Sequence, residues 1–147
     1  MNYNFNQYAR LVRPNKLRVR APRVPFDLKV DSKTIGTAFS YQLYTEDISR
    51  SGLLLVWDRD SVMPFNINTI LELTIDPKGD YLGKPLSCLG KVVRRDIEAE
   101  SEQNGPLATR LGVQIVQIDK SDLNAWENCL SQLERRCGID LSARSTG

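Results

Sequence analysis

The sequence contains no histidine. That excludes Ser-His-Asp and Cys-His nucleophile pairs, HExxH zinc sites and histidine general bases together. Cysteine is scarce: Cys88, Cys129 and Cys137, an odd number with no CxxC spacing. Neither a disulfide framework nor a zinc site is indicated. Cys129 and Cys137 would stand about 12 Å apart along a helix, too far to bridge. Idle thiols in a reducing compartment fit this usage. No apolar run approaches the ~18 residues of a membrane span. Met1 to Tyr8 is polar and aromatic and lacks the apolar stretch of a secretory signal. These features read as a cytoplasmic protein. Acid–base or metal catalysis has little to stand on. Asp58 and Asp60 are close in sequence, but a lone Asp-x-Asp is more simply an exposed loop, so a non-enzymatic role is expected.

What is present suits one ordinary domain. The chain has 147 residues, 41% hydrophobic and 26% charged, enough to bury a core and too apolar for wholesale disorder. The net charge of +2 hides an asymmetry. Within residues 1–30, Arg10, Arg13, Lys16, Arg18, Arg20, Arg23 and Lys29 stand against Asp27 alone, a net +6 that leaves −4 on the remainder. Pro14, Pro22 and Pro25 keep this segment extended rather than helical. A basic extended arm is either solvated or folds over an anion.

Alternating apolar and polar residues predict strands at 24–30, 69–76 and 109–118. A wealth of Thr, Tyr, Phe and Ile predicts one at 34–46, a short apolar run predicts one at 53–57, and LSCLGKVVRR reads as another at 86–95. Gly36 marks a bend or bulge inside the second. DISRSG at 47–52 is a turn. DRDSVMPFN at 58–66 and PKGDYLGKP at 77–85 are loops, as is the acidic stretch 96–108. The period then changes. Leu123, Trp126, Leu130, Leu133 and Cys137 fall on one face of a helix. Ser121 or Asp119 can cap its start, and Gly138 can end it. Six strands with short connections followed by one helix predict an all-β-dominated fold. It is a small antiparallel barrel with a C-terminal amphipathic helix packed against it, and Trp126 is in the core.

Two segments carry a motif. One is Arg18-Val19-Arg20-Ala21-Pro22-Arg23, entering a strand. The other is Asp47-Ile48-Ser49-Arg50-Ser51-Gly52, which fits [D/N]xSxxG. The first closely resembles RRxxxR but has Val19 where the second arginine is expected. GKVVRR at 90–95, RLGVQI at 110–115 and Asp119 before a helix follow in order. Over residues ~18–135 the chain resembles the PilZ domain, a bacterial receptor module for cyclic di-GMP. The resemblance implies a six-stranded barrel with a C-terminal helix, the architecture already reached from periodicity. Together with the charge and composition of the ends, it leads to an expected division into a flexible basic arm at 1–17, a PilZ-like domain at 18–137 and a disordered tail at 138–147.

The chemistry suits that ligand. An arginine fork matches phosphate oxygens and the O6/N7 edge of guanine, and its face stacks on a purine. Asp47 can accept from guanine N1 and N2. Ser49 can bond base or phosphate, and Gly52 allows close backbone approach or a positive φ. By resemblance Arg18, Arg23, Asp47, Ser49 and Gly52 bind cyclic di-GMP, with Arg20 a substitute for the arginine absent at Val19. The plain alternatives are an Asx turn at Asp47–Ser49 and a surface charge at Arg23.

Two functions follow. One is a cyclic di-GMP receptor whose arm closes over the barrel and signals to a partner protein, with motility among the outputs open to the family. The other is a PilZ-type adaptor that binds no ligand and acts by protein contact. Val19 favours the second, and the intact DxSxxG favours the first. Tyr3, Phe5 and Tyr8 interleave with Arg10 and Arg13 as in single-strand binders, but the strands lack a basic aromatic stripe. No DNA or RNA partner, metal or cofactor is expected.

Overall fold

The computed structural model describes residues 8–9, 23–57, 62–98 and 108–136. Among these residues eight strands precede one helix: β1 (Tyr8–Ala9), β2 (Val24–Pro25), β3 (Lys29–Thr34), β4 (Tyr41–Ile48), β5 (Gly52–Trp57), β6 (Ile70–Ile75), β7 (Leu86–Glu98), β8 (Ala108–Asp119) and α1 (Lys120–Arg136). Six long antiparallel strands run in the order β8-β5-β4-β3-β6-β7, and β7 pairs with β8 to close a barrel. Closure leaves the barrel no open edge. The two-residue strands are additions: β2 pairs with β4, and β1 with the end of β8.

Alternation does what periodicity predicts. Val30, Leu43, Leu53, Leu55, Leu71, Leu73, Val92, Leu111, Val113 and Ile115 point inward and are buried. Helix α1 lies at the mouth where β4 ends, β5 begins and β8 ends. It buries Trp126, Cys129, Leu130 and Leu133. Its cap is Asp119, whose Oδ2 accepts from the Ser121 backbone N–H at 3.1 Å. The opposite mouth is closed by the 62–66 segment, where Met63 and Phe65 are buried and the Phe65 ring meets Tyr41 edge-on at 5.6 Å.

The structure corrects several boundaries. The strand expected over 24–30 is two strands, because residues 26–28 leave the ladder. The buried Thr45 side chain takes the ladder's place: its hydroxyl donates to the Phe26 carbonyl at 2.6 Å and accepts the Leu28 N–H at 2.7 Å. The strand expected over 34–46 is also divided. Gly36 has φ +86° and sits in a turn, not a bulge, and β4 starts only at Tyr41. The bulge lies further on, at Glu46, where the β4–β5 register slips between Thr45 and Asp47. The loop expected over 96–108 is shorter, since β7 continues to Glu98 and β8 begins at Ala108. Cross-strand pairs such as Asp96↔Arg110 extend the ladder through polar sequence. Cys137, Gly138, the segment 1–7 and the tail lie outside the described residues.

Candidate functional site

The DxSxxG segment begins on β4 and ends on β5. Asp47 and Ile48 still pair with Leu54 and Leu53, so only residues 49–51 form the turn. Ser49 N–H donates to the Gly52 carbonyl at 2.9 Å, which closes the hairpin with Arg50 and Ser51 at its tip. Asp47 therefore builds no Asx turn. Its side chain faces outward and meets Arg23.

That meeting follows from β2. The pairs Val24↔Ile48 and Pro25↔Asp47 lay the end of the arginine segment beside the end of β4. Arg23 Nη1 then donates to Asp47 Oδ1 at 2.6 Å. Both groups remain open to solvent, with side chains 45% and 22% exposed. The structure thus brings together two of the predicted site residues, one from each motif segment. Arg18, Val19 and Arg20 lie outside the described residues.

Ser49 is only 4% exposed. Its hydroxyl turns onto the Gly52 carbonyl at 3.4 Å, and its own carbonyl accepts the Trp126 indole N–H at 3.1 Å. Arg50 Nε lies 3.2 Å from Glu127. Helix α1 thus holds the turn through one buried hydrogen bond and one exposed ion pair. Gly52 is needed for close approach rather than for a positive φ. A Cβ there would stand 2.6 Å from the Val113 backbone oxygen.

Beside Asp47, the bulged Glu46 pairs with Arg110 across β5, with Arg110 Nε to Oε1 at 2.6 Å and Nη2 to Oε2 at 3.3 Å. The Arg110 guanidinium holds the Glu46 carboxyl below its ordinary range. Sequence reasoning placed Arg110 in a strand but did not connect it to the site. Alternation in RLGVQI puts Arg110 on the outer face, which was the available signal. The bulge that turns Glu46 toward it left none. Among the described residues no cluster of three or more His, Cys, Asp or Glu could hold a metal, and no helix is long and apolar enough to cross a membrane.

A closed six-stranded antiparallel barrel, a helix at its mouth and a β4–β5 hairpin whose Asp47 meets Arg23 define a class of small domain. The PilZ domain family model matches residues 17–132, and the chain belongs to that family. Among solved structures it is similar to the PilZ domain with c-di-GMP of YcgR from Escherichia coli, at 10% identity and TM-score 0.63, covering 82% of this chain and 94% of that one. It is similar to MrkH of K. pneumonia in its apo state, at 16% identity and TM-score 0.66, covering 86% of this chain and 54% of that one. It is also similar to the Bacillus subtilis inhibitor of motility (MotI/DgrA), at 18% identity and TM-score 0.59, covering 81% and 50%. The chain spans about half the length of the last two. Likeness at these identities concerns the fold. No curated protein matches the sequence.

Proposed function

We propose that the protein is a receptor for cyclic di-GMP. The observation that carries the reading is the Arg23–Asp47 contact, which joins the end of the arginine segment to the guanine-facing motif. In a family that includes a solved PilZ domain with c-di-GMP, these are the two side chains a guanine–phosphate ligand needs first. Ligand phosphate or guanine takes the Arg23 fork, and guanine N1–H and N2–H take the Asp47 carboxylate. The ion pair they replace is solvent-exposed and costs about 0–1 kcal/mol to open. Arg18 and Arg20 supply further forks as the arm folds over the barrel, an order change driven by charge neutralisation. Gly52 and Ser49 serve by shaping the turn that presents Asp47. In this reading the arm is 1–17, the ligand-binding domain 18–137 and the tail 138–147. The protein is cytoplasmic and non-enzymatic, and its output passes to a partner protein. Motility is an output that the name of the B. subtilis neighbour brings to mind for this chain.

A second reading is supported by a specific departure, Val19 in place of an arginine. One absent charge-assisted hydrogen bond costs about 1.5–3 kcal/mol, ten- to over a hundred-fold in affinity. In that reading the domain is an adaptor, and the Arg23–Asp47 pair stays closed.

The test is isothermal titration of cyclic di-GMP into the wild type, Arg23→Ala and Val19→Arg. The receptor reading expects saturable binding at about micromolar affinity, lost in Arg23→Ala and tightened at least tenfold in Val19→Arg. Heat from Val19→Arg alone supports the adaptor. Silence from all three overturns ligand binding altogether.

A further inference from the structure

The outer face of the barrel opposite the motif strands holds a feature that the ligand reading does not use. Lys33, Glu72, Leu89 and Gln117 form one row across four adjacent strands: Lys33 pairs with Glu72, Glu72 with Leu89, and Leu89 with Gln117. Gln117 is 5% exposed, and its Oε1 accepts no hydrogen bond. It lines a cleft of about 130 Å³ with Glu72, Thr74, Ser87, Cys88 and Leu89. A buried amide oxygen without a partner is costly. A cleft beside it gives a donor somewhere to enter.

The lining says which donor. Leu89, 8% exposed, is an apolar floor between Glu72 and Gln117. Successive strands lie about 4.8 Å apart, so the Cα atoms of Glu72 and Gln117 are about 10 Å apart across it. Their side chains can converge on one planar group lying over Leu89. Thr74 and Ser87 form the neighbouring cross-strand pair and add hydroxyls that can accept. Asp122 stands behind, its Oδ2 at 3.4 Å from the Ser87 N–H. Lys33 Nζ is the nearby cation at 3.7 Å from Glu72 Oε1, beyond hydrogen-bond length, so that oxygen keeps its acceptor capacity.

We propose that this cleft is a docking site for an arginine side chain of a partner protein. Guanidinium offers five donors around the edges of one plane while its face lies on an apolar surface. A lysine ammonium gathers its three donors at one point and has no planar face to lie on Leu89. None of the lining residues belongs to the two motif segments, so the site can be filled whether or not the ligand reading holds.

The test uses the full-length 15N-labelled protein and N-acetyl-arginine methylamide, with N-acetyl-lysine methylamide and sodium chloride as matched controls. The expected result is saturable shifts at the Gln117 side-chain amide and at the Ser87 and Leu89 backbone amides. Lysine should bind several-fold more weakly. Glu72→Gln should weaken arginine binding by about tenfold, and Gln117→Glu should tighten it. Glu72 is on the outer surface, so Glu72→Gln remains a folded test if changes at buried Gln117 disturb the barrel. Equal responses to arginine, lysine and salt would overturn the proposal. So would arginine binding that Glu72→Gln leaves unchanged.

Discussion

The indole N–H of Trp126 donates to the carbonyl of Ser49 at 3.1 Å, from the middle of the helix to the first residue of the motif turn. Both residues are buried. One bond therefore ties the packing of α1 to the turn that follows Asp47 and the end of β4. The sequence offered Trp126 as a core residue, and it is also the strut of the candidate site.

Trp126→Phe removes this donor and leaves the Ser49 carbonyl buried without it. The expected loss is about 1–3 kcal/mol of folding stability. Urea denaturation of both proteins measures it. An unchanged midpoint would mean that the indole does not hold the turn.

Gly52→Ala places a methyl 2.6 Å from the Val113 carbonyl oxygen. That oxygen is backbone in the closed β5–β8 ladder and cannot retreat without shifting both strands. Destabilisation of about 1–3 kcal/mol is expected. Gly83→Ala is the control, because a Cβ there meets nothing within 4 Å. The two thermal midpoints, compared side by side, decide the matter.

The Glu46–Arg110 pair gives a pH signature. The arginine lowers the folded-state pKa of Glu46 from the ordinary 4.5. A depressed carboxyl stabilises the fold above its unfolded pKa and gives that up as pH falls through the folded one. Stability should therefore decline below pH ~4.5 partly through Glu46. With the side chains 29% and 45% exposed the share is modest, about 0–1 kcal/mol. Glu46→Gln should lower stability at pH 7 by that amount and flatten the acid limb of a denaturation–pH profile. Parallel acid limbs for the two proteins would remove Glu46 from the account.

Burial pushes the Cys129 thiol up to about 11. Burial, aided by the Asp122 charge, pushes Cys88 up to about 12. Thiolate is the reactive form, so neither should react in the native state. Peptide mapping after iodoacetamide at pH 8 should find both unmodified without denaturant and modified in 6 M guanidinium. Native labelling of Cys129 would contradict the packing of α1.

Much of the fold was legible in the sequence, for a local reason. Alternation reported the strands around Ile70–Ile75 and Leu111–Ile118, a short apolar run reported Leu53–Trp57, and the 3.6-residue period reported α1. What failed was local too. The Phe26–Leu28 break and the early turn at Gly36 sit in text that still alternates. The break holds because a threonine 17 to 19 residues away supplies the missing partners. No window along the chain contains that information.

The candidate site divides the same way. Asp47, Ser49 and Gly52, with the arginine segment before them and the strand and helix pattern after them, resembled a family, and that resemblance implied a guanine-bearing ligand. Their arrangement needed contacts across 24 residues for Arg23–Asp47 and 77 for Trp126–Ser49. The periods and the family were readable from the sequence, because side-chain type and spacing are carried residue by residue. It took the folded chain to show that Gly52 serves a close backbone approach, that Ser49 is buried, and that Gln117 Oε1 has no hydrogen-bond partner. Each of those depends on what another strand brings near.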